Sequence, residues 1–180
     1  INLKPEGDFH KNNHFEEWND IQVPGECMMQ GFAIKHDVPF VYKKSILIPA
    51  DYKNKKILLQ FDGVYSYARV WVNGKYVRDH SGGFTRWQCD ITPFVEPGKK
   101  AVITVEVTDK TDDISYGSGY TLHLIGGILR DVKLLSVPEN HPEDIGIYTI
   151  FDKEYKNARL MVSGKVSGSY SKGIIKIELT

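Results

Sequence analysis

The sequence predicts an all-β chain: a jelly-roll β-sandwich followed by the opening strands of a second sandwich. Three observations predict it. Apolar residues recur with period two, and no sustained i, i+3, i+4, i+7 pattern is found. The pair Asn73-Gly74 sits between two alternating runs, Tyr67 to Val72 and Lys75 to Arg78, and Asn-Gly tolerates the two positive φ angles of a type I′ turn. The other apolar runs are short and divided by turn-rich pieces such as Ile48-Pro49-Ala50-Asp51 and Val95-Glu96-Pro97-Gly98, with no amphipathic helix between them.

In chain order, Ile1 to Asp20 is polar and lacks the basic head and apolar run of a signal peptide; with Ile1 rather than Met at its start, the chain reads as an excerpt or a processed product. Strands are expected at Tyr42 to Ile48 and Lys55 to Phe61. In the Asn-Gly hairpin, parity puts Ala68, Val70 and Val72 on one face and Tyr67, Arg69 and Trp71 on the other, where Trp71 is expected to serve packing. Strands at Trp87 to Ile91, Ala101 to Val107 and Ile128 to Leu135 complete the first sandwich. Arg130 shares parity with Ile128, Val132 and Leu134, so it is expected on their apolar face, held by a structural ion pair or a carbonyl clamp. The 20-residue stretch Thr108 to Gly127 is a long polar, glycine-containing excursion of the kind that carries function, and it is expected to be mobile. Its adjacent pair Asp112-Asp113, like Glu16-Glu17, reads as solvated surface acid, with a calcium site in the Asp109 to Asp113 turn as the alternative.

The Pro-containing stretch Ser136 to Glu143 suits a linker, which gives a first domain at 1–137, a linker at 138–143 and a second unit at 144–180. The second unit has strands at Ile145 to Phe151, Ala158 to Val166 and Gly173 to Leu179. Three strands bury too little apolar surface to stand alone, so this unit reads as an incomplete domain.

Composition removes several functions. Lys plus Arg number 23 against 23 for Asp plus Glu, so no net field draws nucleic acid or an anionic membrane. No apolar stretch approaches the ~20 residues of a bilayer span. Cys27 and Cys89 are too few for a disulfide scaffold or a four-ligand zinc site, read as small core residues, and leave the redox compartment open. There is no Gly-rich phosphate loop, no Gly-x-Ser-x-Gly and no His-Glu-x-x-His; the His10/His14 pair lies in the polar N-terminal segment and reads as a solvated loop. Neither a metal nor an organic cofactor is expected.

Five ordered motifs carry a resemblance. They are Trp18-Asn19-Asp20-Ile21-Gln22-Val23-Pro24-Gly25, Tyr42 to Pro49, Phe61-Asp62-Gly63-Val64 with Val70-Trp71-Val72-Asn73-Gly74, Asp90-Ile91-Thr92, and Gly126-Gly127-Ile128-Leu129-Arg130-Asp131-Val132. Together they resemble the N-terminal, galactose-binding-like jelly-roll domain of glycoside hydrolase family 2, the β-galactosidases, β-glucuronidases and β-mannosidases. Residues 142–180 resemble the start of the immunoglobulin-like domain that follows it there.

The resemblance implies a non-catalytic portion of a retaining β-glycosidase, β-galactosidase-like, whose two catalytic glutamates lie on a (β/α)8 barrel outside these residues. The implied partners are that barrel and the enzyme's carbohydrate substrate, and the implied home is periplasmic or secreted. In the galactosidase branch this domain lends polar groups to the active-site pocket at two places, occupied here by Asp37 (an asparagine there) and Thr121 (an aspartate there, as in glucuronidases). Both depart from the pattern, which puts galactosidase and glucuronidase specificity in doubt; Tyr120 or His123 could supply a substitute contact. The rival readings are a stand-alone carbohydrate-binding module, which needs a row of exposed rings such as Trp71, Tyr76 and Trp87 would have to form, a structural or adhesive sandwich, and an esterase that borrows the jelly roll.

Overall fold

The computed structural model describes residues 1–11, 18–110, 124–168, 174 and 176–178. Their Cα positions fall into two compact units, Ile1–Ser136 and Val137–Thr180. The first is all-β, a sandwich of antiparallel strands. Its strands are β1 (Phe40–Leu47), β2 (Lys56–Phe61), β3 (Val64–Tyr65), β4 (Tyr67–Val72), β5 (Lys75–Ser81), β6 (Trp87–Asp90), β7 (Lys100–Thr108), β8 (Gly127–Ile128) and β9 (Val132–Val137). One sheet has the order β1-β7-β4-β5, the other β6-β2-β9, and β3 pairs with β8 in a short ribbon.

Alternation builds the core. Phe40 and Tyr42 of β1, Ala101, Ile103, Val105 and Val107 of β7, and Ala68, Val70 and Val72 of β4 meet Ile57, Leu59 and Phe61 of β2 and Trp87 and Cys89 of β6. Phe61 and Trp87 stack at 4.4 Å between centroids. Asn73 (φ 50) and Gly74 (φ 77) make the β4–β5 turn with the positive φ values their residue types predict. The turn is pinned because Asn73 Oδ1 accepts from the Val102 N–H at 2.9 Å and Asn73 Nδ2 donates to the Phe94 carbonyl at 2.9 Å. A bulge on β5 follows at Val70/Trp71.

The outer face of the four-stranded sheet is also covered. Asn2 pairs with Val41 at the sheet edge, and Phe9 and His10 lie on Trp71, the latter stacked at 5.4 Å. Trp71 is therefore 8% exposed although its face is not the core face. This cover also explains why β7 buries Thr104 and Glu106 between its apolar positions; Glu106 answers Arg69, its register partner, at 2.5 Å.

One strand departs from the sequence reading. Ile128 to Leu135 is broken: β8 ends at Ile128, the chain turns through Leu129–Asp131, and β9 starts at Val132. The turn destroys the parity that put Arg130 on an apolar face. Arg130 is exposed, and its Nη1 donates to the Phe84 carbonyl at 3.5 Å. The break follows from backbone bonding, since Gly63 O accepts from both the Leu129 and Arg130 N–H groups and Asp131 O accepts from Asp62 N–H.

In the second unit β10 (His141–Phe151) pairs with β11 (Ala158–Ser167) in a two-stranded ribbon. The Asp152 carboxylate closes its turn by accepting from the N–H groups of Glu154, Lys156 and Asn157. The expected strand at 173–179 lies largely outside the described residues.

Candidate functional site at the sandwich rim

The antiparallel pairing of β1 with β7 sets one end of the sandwich. Because Phe40 opposes Val107, the residues leading into β1 meet those leaving β7. The Asp37 N–H donates to the Asp109 carbonyl at 2.8 Å, and Asp37 holds φ at 59° on an exposed turn. An aspartate tolerates this left-handed conformation better than most residues, which keeps the turn tight.

Beneath that turn, Asp109 is 1% exposed. Its Oδ2 lies 2.9 Å from His36 Nδ1, a close acid–imidazole contact. Burial pushes the Asp109 carboxyl up from the ordinary range, and the neighbouring imidazole opposes that shift only in part. The next strands close the same rim. Ser66 Oγ accepts from the Lys110 N–H at 2.9 Å, and Ser66 O accepts from the Gly82 N–H at 2.8 Å. Tyr65 packs on Phe84 at 5.4 Å, so the β5–β6 loop joins the rim too.

Between β2 and β3, Asp62 collects three donors: Lys133 Nζ at 2.5 Å, Arg86 Nε of the β5–β6 loop at 2.7 Å and Gln60 Nε2 at 2.8 Å. These bonds, that of Lys133 foremost, hold its carboxyl down at about 2, against the burial that would raise it. A depressed native pKa stabilises the fold above the unfolded value near 3.8, and that contribution disappears as pH falls through about 2. Asp62→Asn is accordingly expected to lower stability by a constant amount above about pH 4, with the gap to the unsubstituted chain closing toward about pH 2; urea titrations across that range check it.

Of the sequence-predicted site residues, Asp37 stands at this rim. Tyr120, Thr121 and His123 lie outside the described residues, as do residues 111–113 of the proposed calcium turn. Trp71 is four residues along β4 from the rim, under the N-terminal segment. Trp87 is 6% exposed, stacked between Phe61 and His80, so with Trp71 also buried the rings Trp71, Tyr76 and Trp87 form no exposed row. His36 and Asp109 escaped the sequence reading because their meeting depends on β1 pairing with β7, which no local pattern states. A larger cleft of about 600 Å3 opens on the flank between β1 and β9, lined by core side chains such as Leu59, Phe61, Ile103 and Val105.

Comparison with known proteins decides the lineage. Residues 27–138 match the family model described as "Glycosyl hydrolases family 2, sugar binding domain". The chain belongs to glycosyl hydrolase family 2. Among curated relatives it is 31% identical over 186 residues to a β-galactosidase of Clostridium acetobutylicum, covering 90% of this chain and 20% of that protein. It is 27% identical over 175 residues to a β-galactosidase of Priestia megaterium, covering 84% of this chain and 17% of the other. Among solved structures, a calcium-binding mutant of Bacteroides uniformis β-glucuronidase 2 superposes with a TM-score of 0.76 at 29% identity, over 91% of this chain and 21% of that one. The chain thus spans about a fifth of the relatives' length. These 180 residues correspond to the N-terminal portion of such family 2 enzymes, and the described residues form no catalytic barrel. The stand-alone module is not favoured.

Proposed function

We propose that this portion belongs to a β-glycosidase that cleaves β-glycosides with retention, and that its rim walls one side of the active-site pocket while the sandwich braces the barrel. The observation that carries the reading is the family match over 27–138, with Asp37 on a strained turn at the end where the β1, β4, β5 and β7 connections converge. In this reading Asp37 accepts a hydrogen bond from a substrate hydroxyl, and Thr121, Tyr120 and His123 share that wall. The carbohydrate substrate and the barrel are the partners. Domain boundaries at 1–137, 138–143 and 144–180 belong to the same proposal, with the last unit opening an immunoglobulin-like domain. Its ribbon leaves Ile145 59%, Ile147 67% and Phe151 54% exposed, more apolar surface than two strands can cover by themselves.

In the full-length enzyme, Asp37→Ala should weaken transition-state stabilisation by ~1 to 3 kcal/mol in kcat/KM and leave the melting temperature nearly unchanged, as an accessory hydrogen bond to substrate would. Unaltered kcat/KM would remove this rim from the pocket.

A further inference from the structure

A second cleft, of about 520 Å3, opens beside the Asp62 cluster and is lined by Pro24, Phe84, Arg86, Leu129, Arg130 and Asp131. Its charges are not equally engaged. Arg86 and Lys133 both bind Asp62, and Lys133 also lies 3.6 Å from Asp131. Arg130 makes no ion pair among the described residues; its contact is the long one to the Phe84 carbonyl.

The guanidinium is nonetheless held in place. Its backbone is fixed to Gly63 O, and its stem crosses Gly63 so closely that a Cβ there would come within 3.2 Å of Arg130 Cδ and 3.3 Å of Gly83 O. A charge with a fixed stem and no ion-pair partner among the described residues is a preformed donor fork for an oxyanion. The neighbouring walls narrow the ligand further. The Asp131 carboxylate, 59% exposed, repels a bare anion but accepts from hydroxyls, while Pro24, Phe84 and Leu129 offer apolar surface to a C–H face. A ligand that uses all three is a hydroxylated ring bearing one negative group.

The geometry points to a binding site for an acidic pyranose, with the uronate or sulfate on Arg130 and ring hydroxyls on Asp131. It is a different place from the Asp37 turn and stands whether or not Asp37 lines the substrate pocket.

The test is an amide NMR titration of the 180-residue chain. Methyl β-D-glucuronide and a methyl 6-O-sulfo-β-D-galactoside are the anionic probes, and methyl β-D-glucoside and inorganic phosphate are the controls. Saturable shifts at Gly83 to Arg86 and Leu129 to Asp131 are expected with at least one acidic sugar, and the better of the two identifies the anion. The neutral sugar and phosphate should bind at least about tenfold more weakly, the loss of one charge-assisted contact or of the hydroxyl contacts. Arg130→Gln should abolish the preference for the acidic sugar and Arg130→Lys should restore part of it, in spectra otherwise unchanged because the side chain is exposed. No saturation with either acidic sugar, equal binding of the glucoside, tighter binding of phosphate, or an Arg130→Gln titration like that of the unsubstituted chain would overturn the site.

Discussion

Gly127→Ala is expected to destabilise the sandwich by about 2 to 6 kcal/mol, enough to leave many small domains largely unfolded at ambient temperature. Two effects add. Gly127 sits at φ 127°, a conformation that side-chain-bearing residues rarely adopt. A Cβ there would also stand 2.6 Å from Tyr42 Oη, 3.0 Å from Cys27 Sγ and 3.3 Å from the Gly25 carbonyl. None of these can yield cheaply. Tyr42 Oη and Cys27 Sγ are buried and bonded to each other at 2.8 Å, and the Gly25 backbone is tied to Ile128 O. Burial pushes the Cys27 thiol up to about 11, so the pair remains neutral and cannot relax by ionising at physiological pH. Urea denaturation of the variant beside Gly126→Ala separates the backbone effect from simple crowding. At Gly126 the nearest obstacle is the flexible end of Ile34, so the smaller loss is expected there.

Phe61→Ala should cost ~3 to 5 kcal/mol. Phe61 is fully buried at the end of β2, and its ring stacks on Trp87, which in turn stacks on His80 at 4.7 Å and has Arg78 Cζ 5.6 Å from its ring centroid. Removing the first ring leaves a cavity between two strands whose register fixes Phe61 opposite Trp87, so the sheet cannot collapse to fill it. Thermal unfolding followed by tryptophan fluorescence reads both the loss of stability and the altered surroundings of Trp87. A loss under about 1 kcal/mol would mean that the stack contributes little beyond its own burial.

How far the molecule could be read from its sequence depended on where period-two parity has physical content. Ala101, Ile103, Val105 and Val107 alternate because one face of β7 meets the core, and the structure keeps them together. Asn73-Gly74 named its own turn because few other pairs accept both φ angles. Parity failed at Arg130, where it was carried across a turn: Gly63 and Asp62 draw Leu129–Asp131 out of the strand, and nothing local to residues 128–135 announces a partner so remote in sequence. It put Trp71 on the outer face but could not name its cover, Phe9 and His10. At the rim, resemblance singled out Asp37 as a candidate, whereas the His36–Asp109 contact required the β1–β7 register. A hint was present in Asp109 itself, an acid placed directly after an uninterrupted alternating strand.

The central claim is that the chemistry of this family 2 protein lies on a barrel outside these residues while the sandwich supports it. The most direct measurement is turnover of aryl β-galactoside, β-glucuronide and β-mannoside by the purified 180-residue chain. No turnover above the uncatalysed rate is expected, because the reaction requires two opposed carboxylates at hydrolytic spacing and the proposed function places them on a barrel outside these residues. Turnover that survives repurification and is lost when one of the chain's own carboxylates is replaced would contradict it.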